Sequence, residues 1–563
     1  MILFPNYIII KILSYLSNLI KSEKLYVSKF LSELSTVCKE WNTSIIPKLK
    51  GDFQFQVDTY ISYDKALKMN RGNSKLALTV DSVLCKVYET EEFQVLNDNI
   101  NSIAFNGMYN ISTIPVLCNL KNISIKILDN DIKEYVTSFL EVLTSDVIQK
   151  YTEDIVQINV TCYKDNLNEI FKPLKNYVGF TQASIIRSAI SITDISVLKE
   201  CIFLTKLRIE GTENSVNVLI DIFQNLPLLQ EYYEYRLRLS TGPSIDKILE
   251  VLAKHQCLTK LNLHYTAFHP HKFAEFLSEN KSLTSISILS FMKLGRVNVP
   301  FKIQNTTLRS LTVNSGGQID YFNCWDGPSG MTDMTLYISH LPVFFQQKGY
   351  ENHFGALKSL VLQFNSSEMF MSHVLQLIEL NPPNLTDLTL TDSNPETEKF
   401  SYFDKLYHSI LTCNTRLNVI RFYVKLNGEQ IKKLIETEHV SLRNLLFQYY
   451  TIFSIDQLYE SLKISKTVTA LKIYLRKVTD EDNEKKSIHF LERVIDILND
   501  NSSLRQLLIT DDYFNKNFSQ ELLQKFKDTI SNHITRIQVL ALTGANKQIK
   551  NILKQFMFMD FRV

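Results

Sequence analysis

The chain has 563 residues, of which 45% are hydrophobic and 21% charged, a balance that builds a large folded core and excludes an intrinsically disordered chain. Lys and Arg total 61 against 59 Asp and Glu, a formal charge of +2 spread along the whole length, so no basic arm or patch points to nucleic acid or to an anionic membrane. The eight cysteines stand singly with no CxxC pair, which reads as reduced, buried thiols in a cytoplasmic or nuclear protein and not as a disulfide framework or a zinc site.

The first predicted element is FPNYIIIKILSYL, beginning at Phe4. Lys11, Ser14, Ser17 and Asn18 interrupt its apolar run, so it is neither a secretory signal nor a membrane span. Pro5 suits a first helical turn, and Ile9, Ile12, Leu13 and Leu16 share one face of the helix that follows. A second amphipathic helix places Phe30, Leu34, Val37 and Trp41 on one face. Two such helices within residues 1–50 cannot bury enough surface alone and need a partner.

These stretches resemble an F-box. Pro5, Ile8, Ile12, Leu13, Tyr15 and Leu16 match its first half, and Leu34, Ser35, Val37, Cys38, Lys39 and Trp41 in LSTVCKEWN match the second. Phe4 replaces the usual Leu, Tyr7 stands where an acid is common, and NLIKSEKLYVSKF is a longer connection than usual. The resemblance implies an adaptor-binding surface made by Phe4, Pro5, Ile9, Ile12, Leu13, Leu16, Leu34, Val37, Cys38 and Trp41. It further implies a Skp-type adaptor, and through it a cullin, as partners.

Residues 51–99 form a connecting and capping segment in which FQFQVDTY and SKLALTVDS alternate like strands. From residue 100 onward a short apolar-x-x-apolar-x-apolar pattern recurs: weakly at Ile100, Leu120 and Ile155, then at Leu204, Leu258, Leu283, Leu308, Met331, Leu357, Leu385, Leu417, Leu442, Val468, Leu504 and Ile534. After one doubled interval, the starts are most often about 25 residues apart, the period of leucine-rich repeats. The copy expected in the doubled interval, at Leu229 to Leu237, fits the pattern poorly. Between copies the period turns helical, as in VLIDIFQNL, IDKILEVLAKH, HKFAEFLSEN, FDKLYHSIL, EQIKKLIETE and FLERVIDILND. The expected fold is therefore α/β: a leucine-rich-repeat solenoid, or horseshoe, over residues 100–563, preceded by a small all-α F-box-like unit. The charged segments RKVTDEDNEKKS and TDSNPETEKFS read as solvated loops.

No motif of catalysis appears. His264, His269 and His271 lack the companions of a metal site, and Gly316, Gly317, Gly327 and Gly330 read as turns between repeats. The expected protein is not an enzyme and carries no cofactor. In each copy the residue between the last two apolar positions faces the open side of the sheet, where solenoids bind partners. This selects Arg208, Asn262, Thr312, Thr389, Arg421, Lys472 and Gln538, with Tyr423 and Tyr474 just beyond. Their mixed polarity points to a protein substrate. Tyr232, Tyr233, Tyr235, Phe447, Tyr449 and Tyr450 are either packing residues or partner anchors. Together with the F-box resemblance, this gives a substrate-recognition subunit of a Skp-cullin-F-box ubiquitin ligase. The alternative is a repeat scaffold with no ubiquitin role, in which the first helices cap the solenoid.

Overall fold

The computed structural model describes residues 54–57, 77–81, 100–106, 122–127 and, with short interruptions, 157–556. The F-box-like helices and all ten residues expected at the adaptor surface lie outside the described residues.

Two compact units divide the chain, residues 1–283 with 288–296 and residues 284–287 with 297–563. The first unit contains the strands Gln54–Val57, Ala77–Asp81, Ile100–Asn106, Asn122–Ile127, Gln157–Cys162, Phe180–Ser191, Lys206–Glu213, Glu231–Tyr235 and Lys260–His264. Each pairs in parallel with the one before it in sequence. The second unit repeats this order with Ser310–Val313, Asp333–Tyr337, Ser359–Phe364, Asp387–Asp392, Val419–Tyr423, Asn444–Phe447, Ala470–Tyr474, Gln506–Thr510 and Val539–Thr543. A parallel ladder in strict chain order requires a crossover after each strand, and most of the described crossovers contain a helix. This is the leucine-rich-repeat architecture, and it rests on strand register. The weak copies at Ile100, Leu120 and Ile155 are rungs of it, with Ile103, Ile123 and Ile158 side by side.

The strands form because period-two apolar residues cover one face only. Along Gln157–Cys162, Ile158, Val160 and Cys162 are buried while the alternating residues are not. Stacking identical faces builds each core: Leu388 sits between Leu360 and Ile420, and Phe422 stacks on Phe447 at 5.4 Å. Each fully buried aliphatic side chain contributes about 1.5–3 kcal/mol. The helices follow the predicted periodicity at Val216–Asn225, Asp246–Ala253, Pro270–Glu279, Phe403–Cys413 and Gly428–Ile435. Capping boxes start Gly428–Ile435, through Asn427 and Gln430, and a further helix Ile455–Ile464, through Ser454 and Gln457. One expectation changes: the helix Asn483–Asp500 begins inside the segment read as a charged loop, with Lys485 and Lys486 on its exposed side and Ser487 buried. Gly327 and Gly330 have φ of 79° and 67°, the left-handed turn conformation that suits glycine.

The register corrects two copies. LQEYYEYRL, the poor match, forms a regular rung: Tyr232 pairs with Leu207 and Glu234 with Ile209, so a carboxyl side chain occupies a core position. At the C-terminal end, Leu540 and Leu542 pair with Leu507 and Ile509. The true last copy is thus IQVLAL from Ile537, three residues later than the ITRIQV match, and Gln538 precedes the strand. Ile534, exposed at 44%, is not a core residue.

A polar brace three residues before six of the leading Leu residues, Leu258, Leu283, Leu308, Leu417, Leu442 and Leu504, joins neighbouring repeats, and the repeat pattern did not include it. Asn280 Oδ1 accepts from Ser282 and Leu283 N–H at 3.0 and 2.8 Å, while its Nδ2 donates back to Leu252 O at 2.8 Å. Asn501 does the same with Ser503 and Leu504, and donates to Leu462 and Ser465 carbonyls. His255 and His439 replace Asn. His255 Nδ1 accepts from Leu258 N–H at 3.1 Å, which forces the proton onto Nε2, and that N–H donates to Leu226 O at 3.0 Å. Buried groups so bonded avoid the ~1–3 kcal/mol cost of an unpaired donor or acceptor.

Candidate functional site

The face of each sheet that the helices do not cover presents the residues between the buried ones. In the first unit three adjacent strands build a patch of paired rows: Lys206, Glu231 and Lys260 in one, Arg208, Tyr233 and Asn262 in the next, then Glu210 beside Tyr235. Glu231 accepts from both neighbours, with Lys260 Nζ at 2.7 Å and Lys206 Nζ at 3.0 Å. The hydrogen bond from Lys260 and then that from Lys206 hold its carboxyl down to about 2, against the burial that opposes them. Tyr233 donates its hydroxyl proton to Glu231 at 3.2 Å and lies under the Lys206 ammonium, 5.5 Å from the ring centre. Arg208 stacks over Tyr235 at 4.8 Å and donates to Glu210 at 3.0 Å. The His264 ring lies 5.4 Å from that of Tyr235.

Here the aromatic rings are held by charges before any partner arrives. Arg208 remains 44% exposed at its side chain, so its guanidinium edge is still free to reach a partner. Tyr and Arg fixed in one geometry lose little entropy on binding, which is why such residues anchor interfaces. Of the aromatic candidates, Tyr232 and Phe447 are core residues, with Tyr232 edge-on to Phe223 at 4.8 Å. Tyr233 and Tyr235 belong to the open face. The sequence signal for them was the rung itself: reading Glu234 as a core position places both tyrosines outward.

Arg208 and Asn262 are brought to opposite sides of Tyr233. In the second unit Thr312, Thr389, Arg421 and Lys472 lie in one row, together with Thr335, Val361, Leu446, Leu508 and Ala541. Thr389 and Arg421 are neighbours, and Leu446 separates Arg421 from Lys472. This row is more apolar than the expected set. Arg421 bonds Asp387 at 3.3 Å, and Lys472 lies 5.3 Å from the ring centre of Tyr474. Tyr423 is half-buried on the open face, whereas Tyr474 is only 6% exposed and works as packing. Ala541, not Gln538, occupies the corresponding place in the last rung.

The three histidines form no common site: the rings of His269 and His271 lie 5.7 Å apart, while His264 belongs to the open face. His269 precedes the helix Pro270–Glu279 without a side-chain cap, its Nδ1 instead 2.5 Å from Asp246 Oδ2. Among the described residues no group of three His, Cys, Asp or Glu can hold a metal ion, and no helix is long and apolar enough to cross a membrane. Cys162, Cys201, Cys257, Cys324 and Cys413 are free thiols, and burial pushes that of Cys201 up to about 12.

No protein-family model and no curated protein matches the chain. Among solved structures it is similar to an internalin from Listeria monocytogenes, with a TM-score of 0.30 and 15% identity over 71% of this chain and 95% of that one.

Proposed function

We propose that this chain is a protein-binding repeat receptor that holds its partner on the open sheet faces. The observation that carries this reading is the prearranged patch of Arg208, Tyr233 and Tyr235, in which two cations and two aromatic rings share one surface. A cross-linking test in cells compares benzoylphenylalanine at Tyr233 with the same group at Lys525, an exposed helix residue. Discrete adducts are expected at position 233 alone, and Arg208→Ala with Tyr235→Ala should remove them, each anchor being worth about 1 kcal/mol or more. Equal adducts at both positions would refute the reading.

The LSTVCKEWN motif favours a second, finer role, in which the receptor presents its protein to a ubiquitin ligase. Leu34, Cys38 and Trp41, with Pro5, Ile9, Leu13 and Leu16, would dock a Skp-type adaptor and thereby a cullin. The chain would act by raising the local concentration of a target lysine near a ubiquitin-charged enzyme. The full chain should bind purified adaptor, and Leu34→Asp with Trp41→Ala should abolish that binding while circular dichroism is unchanged. Absence of adaptor binding in the wild type leaves a repeat scaffold without a ubiquitin role.

A further inference from the structure

The first unit carries a second exposed feature, on the turns that lead from helix to strand and away from the open face. Val178, Ile202 and Leu228 are 48%, 47% and 44% exposed, and they lie on the turns of three successive rungs. Those turns are neighbours: Thr205 N–H bonds Thr181 O, and Gln230 N–H bonds Thr205 O. Pro227, also exposed, continues the stripe. Single exposed apolar residues are ordinary; a run of them through consecutive repeats marks an interaction surface. The position two residues before the leading apolar residue shows the contrast. It is Val178, Ile202 and Pro227 here, then Gln256 and Lys281 in the same unit, and Thr306, Ser329, Gly355, Pro383, Thr415, Lys466 and Ser502 in the second. In the second unit the exposed apolar residues Val440, Ile464 and Ile534 (68%, 54% and 44%) lie at different turn positions, two, four and three residues before their leading apolar residues.

The stripe runs into a groove of about 760 Å³ between the helices Val216–Asn225 and Asp246–Ala253. Ile220, Phe223 and Val251 line it, with Pro227 and Leu228 at its edge. Lys247 and Lys254 flank the groove from one face of the second helix, four and three residues either side of Val251. Glu250, between them, is engaged by Lys272 at 3.2 Å. Lys247 and Lys254 pair with no carboxylate among the described residues, so the groove wall keeps an uncompensated positive charge.

Spacing selects the shape of the occupant. Rungs repeat about every 4.8 Å, close to the 5.4 Å pitch of an α-helix. Alternate side chains of an extended strand, about 6.6 Å apart, fall out of step by the third rung. We infer that the stripe and groove form a docking site for an acidic amphipathic helix of a protein partner: its apolar residues at i, i+3, i+4 and i+7 lie on Val178, Ile202 and Leu228, one fills the groove, and its carboxylates meet Lys247 and Lys254. This site is separate from the open face and does not depend on the receptor reading.

The test uses the full chain and a phage-displayed library of helix-stabilised 16-residue peptides with randomised surface positions. Selected peptides should carry large apolar residues at helical spacing with flanking Asp or Glu, and lose about tenfold or more in affinity toward Ile202→Glu with Leu228→Glu. Lys247→Glu with Lys254→Glu should weaken the same peptides and strengthen their Lys-flanked versions. Circular dichroism of both variants checks the fold, and Arg208→Ala with Tyr235→Ala should leave peptide binding unchanged. Selected peptides without acidic residues, or equal binding to the Ile202 and Leu228 variant, would overturn the inference. So would a concentration-dependent dimer of the wild type that this variant abolishes, which would make the stripe a contact between copies.

Discussion

Glu234 is the residue at which this chain departs furthest from what its fold requires. Its side chain occupies a core position beside Ile209, is fully buried, and makes no hydrogen bond of good geometry through either oxygen. Burial raises the carboxyl well above its ordinary value, and the Tyr232 hydroxyl two residues earlier offsets this only in part. The folded state therefore binds this proton more tightly than the unfolded chain does, and the contribution of Glu234 to stability falls as pH rises above about 4.5. Glu234→Leu is expected to stabilise the protein at pH 7.5 by about 1–3 kcal/mol, with a smaller gain at pH 5. Urea unfolding at the two values measures the difference, and a loss of stability at pH 7.5 would show that the carboxyl is held by a partner.

At the scale of one repeat, the brace decides whether a helix-to-strand turn holds its predecessor. His255 works only as the neutral ring, because its Nδ1 must accept the Leu258 and Cys257 N–H groups. Burial lowers its proton affinity accordingly, and burial likewise lowers His353 to about 4. Here the sign is opposite to that of Glu234: the unfolded chain binds more protons, so this stability is complete above about 6.5 and is lost as pH falls below it, for His353 through about 4. His255→Ala should cost about 1–3 kcal/mol at pH 7.5, whereas His255→Asn, the residue nature places at 280, 305, 414 and 501, should keep most of that and flatten the acid limb of the stability curve. Thermal unfolding between pH 4.5 and 7.5 tests both, and equal losses for Ala and Asn would reduce the brace to side-chain packing. This element was legible in the sequence, since NKSL, NTTL, NTRL, NSSL, HQCL and HVSL all place Asn or His three residues before a leading Leu. It does not stand out in the repeat pattern because the apolar positions alone carry that pattern.

Across each unit, the strands were legible wherever two apolar residues alternate, because a buried face leaves no other way to pair. Glu234 hid a rung by putting a carboxyl where a Leu belongs, and Ile534 misplaced one by offering an apolar residue at the right spacing on an exposed turn. Of the open-face residues, those placed by a sound copy, such as Arg208, Thr389 and Arg421, followed directly. Packing between neighbouring rungs decided the others: Tyr474 is buried at a position that period two alone leaves outside. One further property follows from the chain-order ladder. Each strand bonds only to the rungs before and after it, so tension along the backbone is borne in series, link by link. Pulled from its ends, the first unit would lengthen in a staircase of discrete extensions. Among the described links, the one holding Glu234 carries a buried acid in place of the apolar packing its neighbours have and would part at a lower force, so Glu234→Leu would raise the force of that step.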